Sequence, residues 1–170
     1  IELFDVNLDG YIDIVLGGSP LIKADSKILW GSSTYKFSAT NLTVLPSKII
    51  SGSSIMDIAF VDYDKDSDLD ILMLSEIDYK GFGIELFENQ AGKYINATSS
   101  RIDIYNKPNT LWVSWLRIFD IDKDGDFDLV GDGFNYKNLG TTPASKQPVP
   151  KAYWINDGKG NFKGNFINID

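Results

Sequence analysis

Three nine-residue stretches carry most of the acid in this chain, and their residue types and spacing suit one kind of chemistry. They read Asp5-Val6-Asn7-Leu8-Asp9-Gly10-Tyr11-Ile12-Asp13, Asp62-Tyr63-Asp64-Lys65-Asp66-Ser67-Asp68-Leu69-Asp70 and Asp120-Ile121-Asp122-Lys123-Asp124-Gly125-Asp126-Phe127-Asp128. Together they hold 13 of the 24 acidic residues and only two lysines, a local charge of −11 in a chain whose net charge is −8. Acid packed this closely repels itself, and a folded protein tolerates it chiefly when a cation neutralises it.

Calcium fits best. It is a hard cation taking about 6 to 8 oxygen ligands, and alternate residues of a tightly turned loop can aim their oxygens at one centre. In the third stretch the expected ligands are the side chains of Asp120, Asp122, Asp124 and Asp128, with the main-chain carbonyl of Asp126. In the second they are Asp62, Asp64, Asp66 and Asp70, with the carbonyl of Asp68. In the first they are Asp5, Asn7, Asp9 and Asp13, with the carbonyl of Tyr11; Asn7 offers an oxygen without a charge. Gly10 and Gly125 stand where the loop turns sharply, a place that favours positive φ, whereas the second loop has Ser67 there. About three calcium ions are expected, one per stretch.

Two other readings compete. The helix-loop-helix calcium motif shares the opening of the pattern but needs a bidentate Glu at its twelfth place, where these stretches have Leu16, Met73 and Gly131. Ordinary Asp-rich turns, whose carboxylates cap backbone N–H groups, account for one such stretch. They do not account for copies whose starts lie 57 and 58 residues apart.

The elements around the stretches repeat as well. Each is preceded by an apolar or alternating segment (3–4, 56–61, 111–119) and followed by a short aliphatic run (14–16, 71–74, 129–130), which reads as strand, loop, strand. Further on, each repeat has an aromatic strand, a turn and another aromatic residue: Trp30-Gly31 to Tyr35 and Phe37, Phe87 to Tyr94, and Trp154 to Phe162. The turns Asn156-Asp157-Gly158 and Gln90-Ala91-Gly92 are of the hairpin kind.

The chain therefore reads as all-β, with three repeats at approximately 1–54, 55–110 and 111–170, each a four-stranded antiparallel blade of a partial β-propeller spanning 1–170. A β-sandwich would also space its turns regularly, but it has no reason to repeat the acidic loop. The Gly, Thr, Pro and Ser content of 138–151 marks a surface loop inserted in the third repeat.

Composition narrows the function. With no cysteine and no histidine, this chain assembles no disulfide, no zinc site of the usual ligand types, no cysteine nucleophile and no Ser-His-Asp triad. A non-catalytic role is expected. The acidic balance argues against nucleic acid as partner, no apolar run approaches the roughly 20 residues of a membrane helix, and Ile1 begins no leader-like segment.

The loop Asp-x-[Asp/Asn]-x-Asp-Gly-x-x-Asp, followed in the first repeat by Val15-Leu16-Gly17-Gly18-Ser19-Pro20, resembles the FG-GAP repeat of integrin α subunits. The hairpin from Trp154 to Phe162 is similar to the related VCBS-type repeats of secreted proteins. The resemblance covers essentially the whole chain, with Ser67 and the missing Gly-Ser-Pro after the second and third loops as departures. It implies a seven-bladed extracellular propeller acting in adhesion, in protein or carbohydrate recognition, or as a scaffold.

Three blades cannot close a ring, so the remaining blades or self-association are expected as partners. Leu3 and Phe4 at one end, and Phe166, Ile167 and Ile169 at the other, read as edge strands that invite pairing. The alternatives are an accessory propeller of a secreted enzyme, or a lectin using rings among Trp30, Trp112, Trp115, Tyr136 and Trp154, which blade-to-blade packing would otherwise consume. Calcium sites of extracellular modules are weak, about 10⁻⁴ to 10⁻³ M, and fill outside cells. Asn41-Leu42-Thr43 and Asn96-Ala97-Thr98 have the form of glycosylation acceptors.

Overall fold

The computed structural model describes residues 1–19, 24–34, 36–50, 53–77, 81–107, 112–134 and 151–166. Its strands form three antiparallel sheets in which sequence neighbours are hydrogen-bonded neighbours. The first contains β1 (Glu2–Phe4), β2 (Asp13–Leu16), β3 (Lys27–Leu29) and β4 (Leu42–Val44). The second contains β5 (Ser53–Val61), β6 (Asp70–Ile77), β7 (Gly81–Gln90) and β8 (Lys93–Asn96), with short β9 (Asn106–Lys107) added against β7. The third contains β10 (Trp112–Phe119), β11 (Asp128–Phe134), β12 (Lys151–Asn156) and β13 (Phe162–Phe166). Among the described residues the one helix is a single turn, Thr98–Arg101.

Burial follows from the stacking of these sheets. Val6, Val15, Ile28 and Leu45 of the first repeat pack with Ile58, Ile71, Met73, Phe87 and Tyr94 of the second. The other face of the second sheet, with Leu72, Leu74, Ile84 and Leu86, packs on Val113, Leu116, Leu129 and Trp154 of the third. The middle sheet is thus covered on both sides, which is why Asp70-Ile71-Leu72-Met73-Leu74-Ser75-Glu76 shows no polar alternation and is buried throughout. Each such aliphatic side chain contributes roughly 1.5 to 3 kcal/mol on burial.

Polar links reinforce the stack. The first strands of the second and third sheets both shift register one turn before their acidic loops, between Ile55 and Asp57 and between Val113 and Leu116. At that bulge Asp57 Oδ2 accepts from Leu116 N at 2.8 Å and from Arg117 Nη1 at 3.1 Å, tying β5 to β10.

The aromatic residues divide. Trp154 is fully buried, edge-on to Phe82 at 5.5 Å, and its Nε1 donates to Ile104 O at 2.9 Å, so it is a packing residue and no ligand-facing ring. Trp30 is half-buried and donates to Thr43 Oγ1. Trp115 lies under the Arg117 guanidinium at 5.1 Å. Pro20, Tyr35, Tyr136, Ile167, Ile169, the 138–150 part of the inserted loop and the Trp112 side chain lie outside the described residues.

Asn96 also departs from the surface role suggested by its sequence. Its Nδ2 donates to Ser47 O and Glu85 Oε2, and the buried Thr98 hydroxyl accepts from Leu86 N, so this triplet is part of the folded polar network. Asn41 is exposed. No helix among the described residues is long and apolar enough to cross a membrane.

Candidate metal centres

Each acidic stretch is the connection between the first and second strands of its sheet: β1 to β2, β5 to β6 and β10 to β11. The three loops share one backbone path. The fourth residue is left-handed in all of them, with φ of 58° at Leu8, 64° at Lys65 and 64° at Lys123. The sixth is left-handed too, at 89° for Gly10, 76° for Ser67 and 91° for Gly125. A β-carbon at Gly10 or Gly125 would meet nothing within 4 Å, so backbone conformation and not space is what glycine serves there.

The carboxylates hold this path by accepting the loop's own N–H groups. Asp5 accepts from Asp9 N and Gly10 N, Asp62 from Asp66 N and Ser67 N, and Asp120 from Gly125 N, at 2.8 to 3.2 Å. Asp9, Asp66 and Asp124 accept from the N–H two residues on, those of Tyr11, Asp68 and Asp126, at 2.8 to 2.9 Å.

The ninth residue works differently. Asp13, Asp70 and Asp128 are fully buried. Oδ2 of each accepts from the second residue of its own loop, Val6 N at 2.9 Å, Tyr63 N at 3.2 Å and Ile121 N at 2.7 Å. Oδ1 of each accepts from the end of the sheet's third strand, Gly31 N at 2.7 Å, Asn89 N at 2.8 Å and Asn156 N at 2.9 Å. The ninth aspartate is therefore a strut between loop and sheet, with one remaining lone pair per oxygen.

Convergence differs between the copies. Asp62, Asp64 and Asp70 bring carboxylate oxygens within 4.8 Å of one another, and so do Asp120, Asp122 and Asp124. Among the described residues the first loop forms no such trio of acids; its second ligand place is Asn7, whose Nδ2 donates to Asp9 Oδ2 at 3.0 Å. Tyr11 is exposed, Asp68 Oδ2 accepts from Ala91 N at 2.9 Å, and Asp126 is nearly buried against Lys65.

The electrostatics favour a positive charge at these loops. Burial pushes the Asp70 carboxyl up to about 7, with Asp64 and Asp66 adding to it against the two N–H bonds it accepts. Burial and then Asp66 raise Asp64, and burial raises Asp13, with Asp9 and Asp5 contributing. In the third loop Asp120 Oδ1 is buried without a hydrogen-bond partner. A buried carboxylate oxygen left this way is costly unless a cation meets it, so an all-oxygen donor set suits a hard divalent ion.

Sequence reasoning did not find three of these features. The left-handed fourth residue is Leu or Lys, types that carry no such signal. The double role of the ninth aspartate depends on a strand distant in sequence. Lys65 reads as a loop charge but spans to the next loop, against Asp126.

Residues 5–73 match the model of the FG-GAP-like repeat. Searches among curated proteins and among solved structures gave no match.

Proposed function

We propose, from the premise that residues 5–73 form an FG-GAP-like repeat, that the chain is a calcium-binding segment of a β-propeller that serves as a non-catalytic recognition or scaffold module outside cells. The observation that carries this reading is the common backbone of the three loops, with left-handed fourth and sixth residues, together with the converging carboxylates of the second and third. Asp62, Asp64 and Asp70 would hold one ion, Asp120, Asp122 and Asp124 a second, and Asp5, Asn7 and Asp9 a third. A bound ion supplies the positive charge that the clustered carboxylates otherwise lack. Asp66 and the Asp68 carbonyl complete the second loop, Asp128 and the Asp126 carbonyl the third, and Asp13 and the Tyr11 carbonyl the first.

Weak extracellular-type affinity, about 10⁻⁴ to 10⁻³ M, ties function to a calcium-rich compartment. Thermal unfolding in calcium and in chelator tests the reading. At ten times Kd each site adds roughly 1.4 kcal/mol by linkage, so the melting temperature rises with calcium. Superimposable curves in calcium and in EDTA would sink it.

The outer surfaces support further blades or a second copy beside this segment. The second to fourth residues of one loop face the sixth to eighth of the next, as Val6, Asn7 and Leu8 do with Ser67, Asp68 and Leu69 around one cleft. On the first loop the corresponding Gly10, Tyr11 and Ile12 instead line an open cleft of about 350 Å³ with Leu3 and Phe37. Phe119 and Ile121 are exposed at the other end of the stack. Faces of this kind mark an interface. Light scattering on the purified chain should show association that grows with concentration; a monomer at high concentration would count against it.

A further inference from the structure

The two sheet–sheet interfaces are built on one plan, and the first lacks two parts that the second has. Between the second and third repeats, the Tyr63 ring packs on Phe162 at 5.9 Å and the Lys65 ammonium meets Asp126. Asn156 Nδ2 there bridges the repeats by donating to Tyr63 O at 3.0 Å. Between the first and second repeats the same places hold Val6, Leu8, Tyr94, Asp68 and Asn89. Valine is smaller than tyrosine, leucine carries no charge, and Asn89 Nδ2 donates within its own repeat, to Leu69 O.

What remains is a cleft of about 200 Å³, lined by Val6, Leu8, Trp30, Asp68, Asn89 and Tyr94 among others. Tyr94 is only 6% exposed, yet its hydroxyl has no hydrogen-bond partner. Asp68, unlike Asp126, has no cation within ion-pair distance among the described residues. The cleft thus combines apolar side chains with a few polar groups, as ligand sites do.

We propose that this cleft binds an alkylammonium group, its ammonium on the Asp68 carboxylate and the Tyr94 hydroxyl and its alkyl arm along Val6, Leu8 and Trp30. The chain itself shows the fit, since Lys65 brings the same group to the same place one repeat later. Asp70, Asp13 and Asp68 all bear on Tyr94, so an anion is disfavoured there. An ammonium would give the Asp68 carboxylate the counter-charge that Lys65 gives Asp126, and aromatic rings attract such a cation. The group can come from a free amine or from a lysine side chain of a partner. The proposal rests on the stacking of the sheets and not on calcium, so the melting comparison and the titration below fail independently.

The test titrates the intact chain, in calcium, with n-pentylamine, with Nα-acetyl-lysine methylamide and with Nα-acetyl-norleucine methylamide, followed by tryptophan fluorescence and calorimetry. We expect saturable binding of at least one ammonium probe and none of the norleucine control. Asp68→Asn, which keeps the side-chain shape, should weaken binding about tenfold or more. Val6→Tyr should block it by filling the cleft, and Tyr94→Phe serves in its place if that variant does not fold. Tighter binding of pentylamine points to a free amine and tighter binding of the lysine amide to a protein lysine; either supports the site. Absence of saturation by both ammonium probes, equal binding of the norleucine control, or unchanged binding in Asp68→Asn overturns it.

Discussion

Lys65, carried on the second acidic loop, places its ammonium against Oδ1 of Asp126 in the third. Asp124 and Asp120 also act on it, so this lysine is a resident counter-ion of a loop to which it does not belong. It lies between Asp64 and Asp66 on a left-handed residue, which means that the second loop's fold sets where the charge goes.

The first prediction follows from that charge. Lys65→Gln leaves the third loop more negative, so it should bind calcium more tightly and be less stable without it. The difference in melting temperature between calcium and chelator should therefore widen relative to the parent. An unchanged difference would mean that the contact carries no coupling between the loops.

A second prediction concerns Ser67, whose φ of 76° lies in the region where Gly10 and Gly125 sit. A residue with a β-carbon loses about 1 kcal/mol or more in that conformation. The second loop has more acid than the first, so charge alone would rank it higher, while strain opposes that. We expect strain to prevail and the second site to be the weakest of the three. Ser67→Gly should tighten calcium there by about tenfold or less, since tenfold corresponds to roughly 1.4 kcal/mol, and Gly125→Ser should weaken the third site comparably. Site-resolved titration reads both; no gain in Ser67→Gly would separate the backbone strain from affinity.

The third prediction separates scaffold from ligand at the ninth place. Asp128 accepts from Ile121 N and Asn156 N while fully buried. Asparagine offers one oxygen and turns an N–H₂ toward the other donor, leaving a buried N–H unsatisfied. Asp128→Asn should then cost about 1 to 3 kcal/mol of stability even in chelator. Denaturant unfolding with EDTA present measures it, and a stability equal to the parent would show that the strut contributes nothing of its own.

Much of this architecture was legible in the chain. The acidic loops lie between strands because Val, Ile, Leu and Phe flank them on both sides, and each sheet has four consecutive strands, besides the added β9, because hairpin turns such as Ala91-Gly92 follow at fixed offsets. The positions of the candidate ligands were visible from alternation alone.

What stayed hidden depends on residues far apart in sequence. Asp70 was legible as an acid but not as the acceptor of Asn89 N, 19 residues away, and Asn156 gave no sign that it would reach Tyr63, 93 residues away. For Trp154 the chain left packing and ligand binding both open, and burial against Phe82 of the second sheet decides for packing. The difference between Val6 and Tyr63 matters only once the sheets stack and the same place in two interfaces can be compared.

The central claim is that these loops take up calcium, and equilibrium binding of calcium to the metal-free chain tests it most directly. The account predicts saturable uptake approaching three ions per chain at millimolar calcium or below, with the second loop filling last and Asp120→Asn, or Asp62→Asn, each removing one ion. Stoichiometry indistinguishable from zero across the millimolar range, or uptake unaffected by both substitutions, would contradict it.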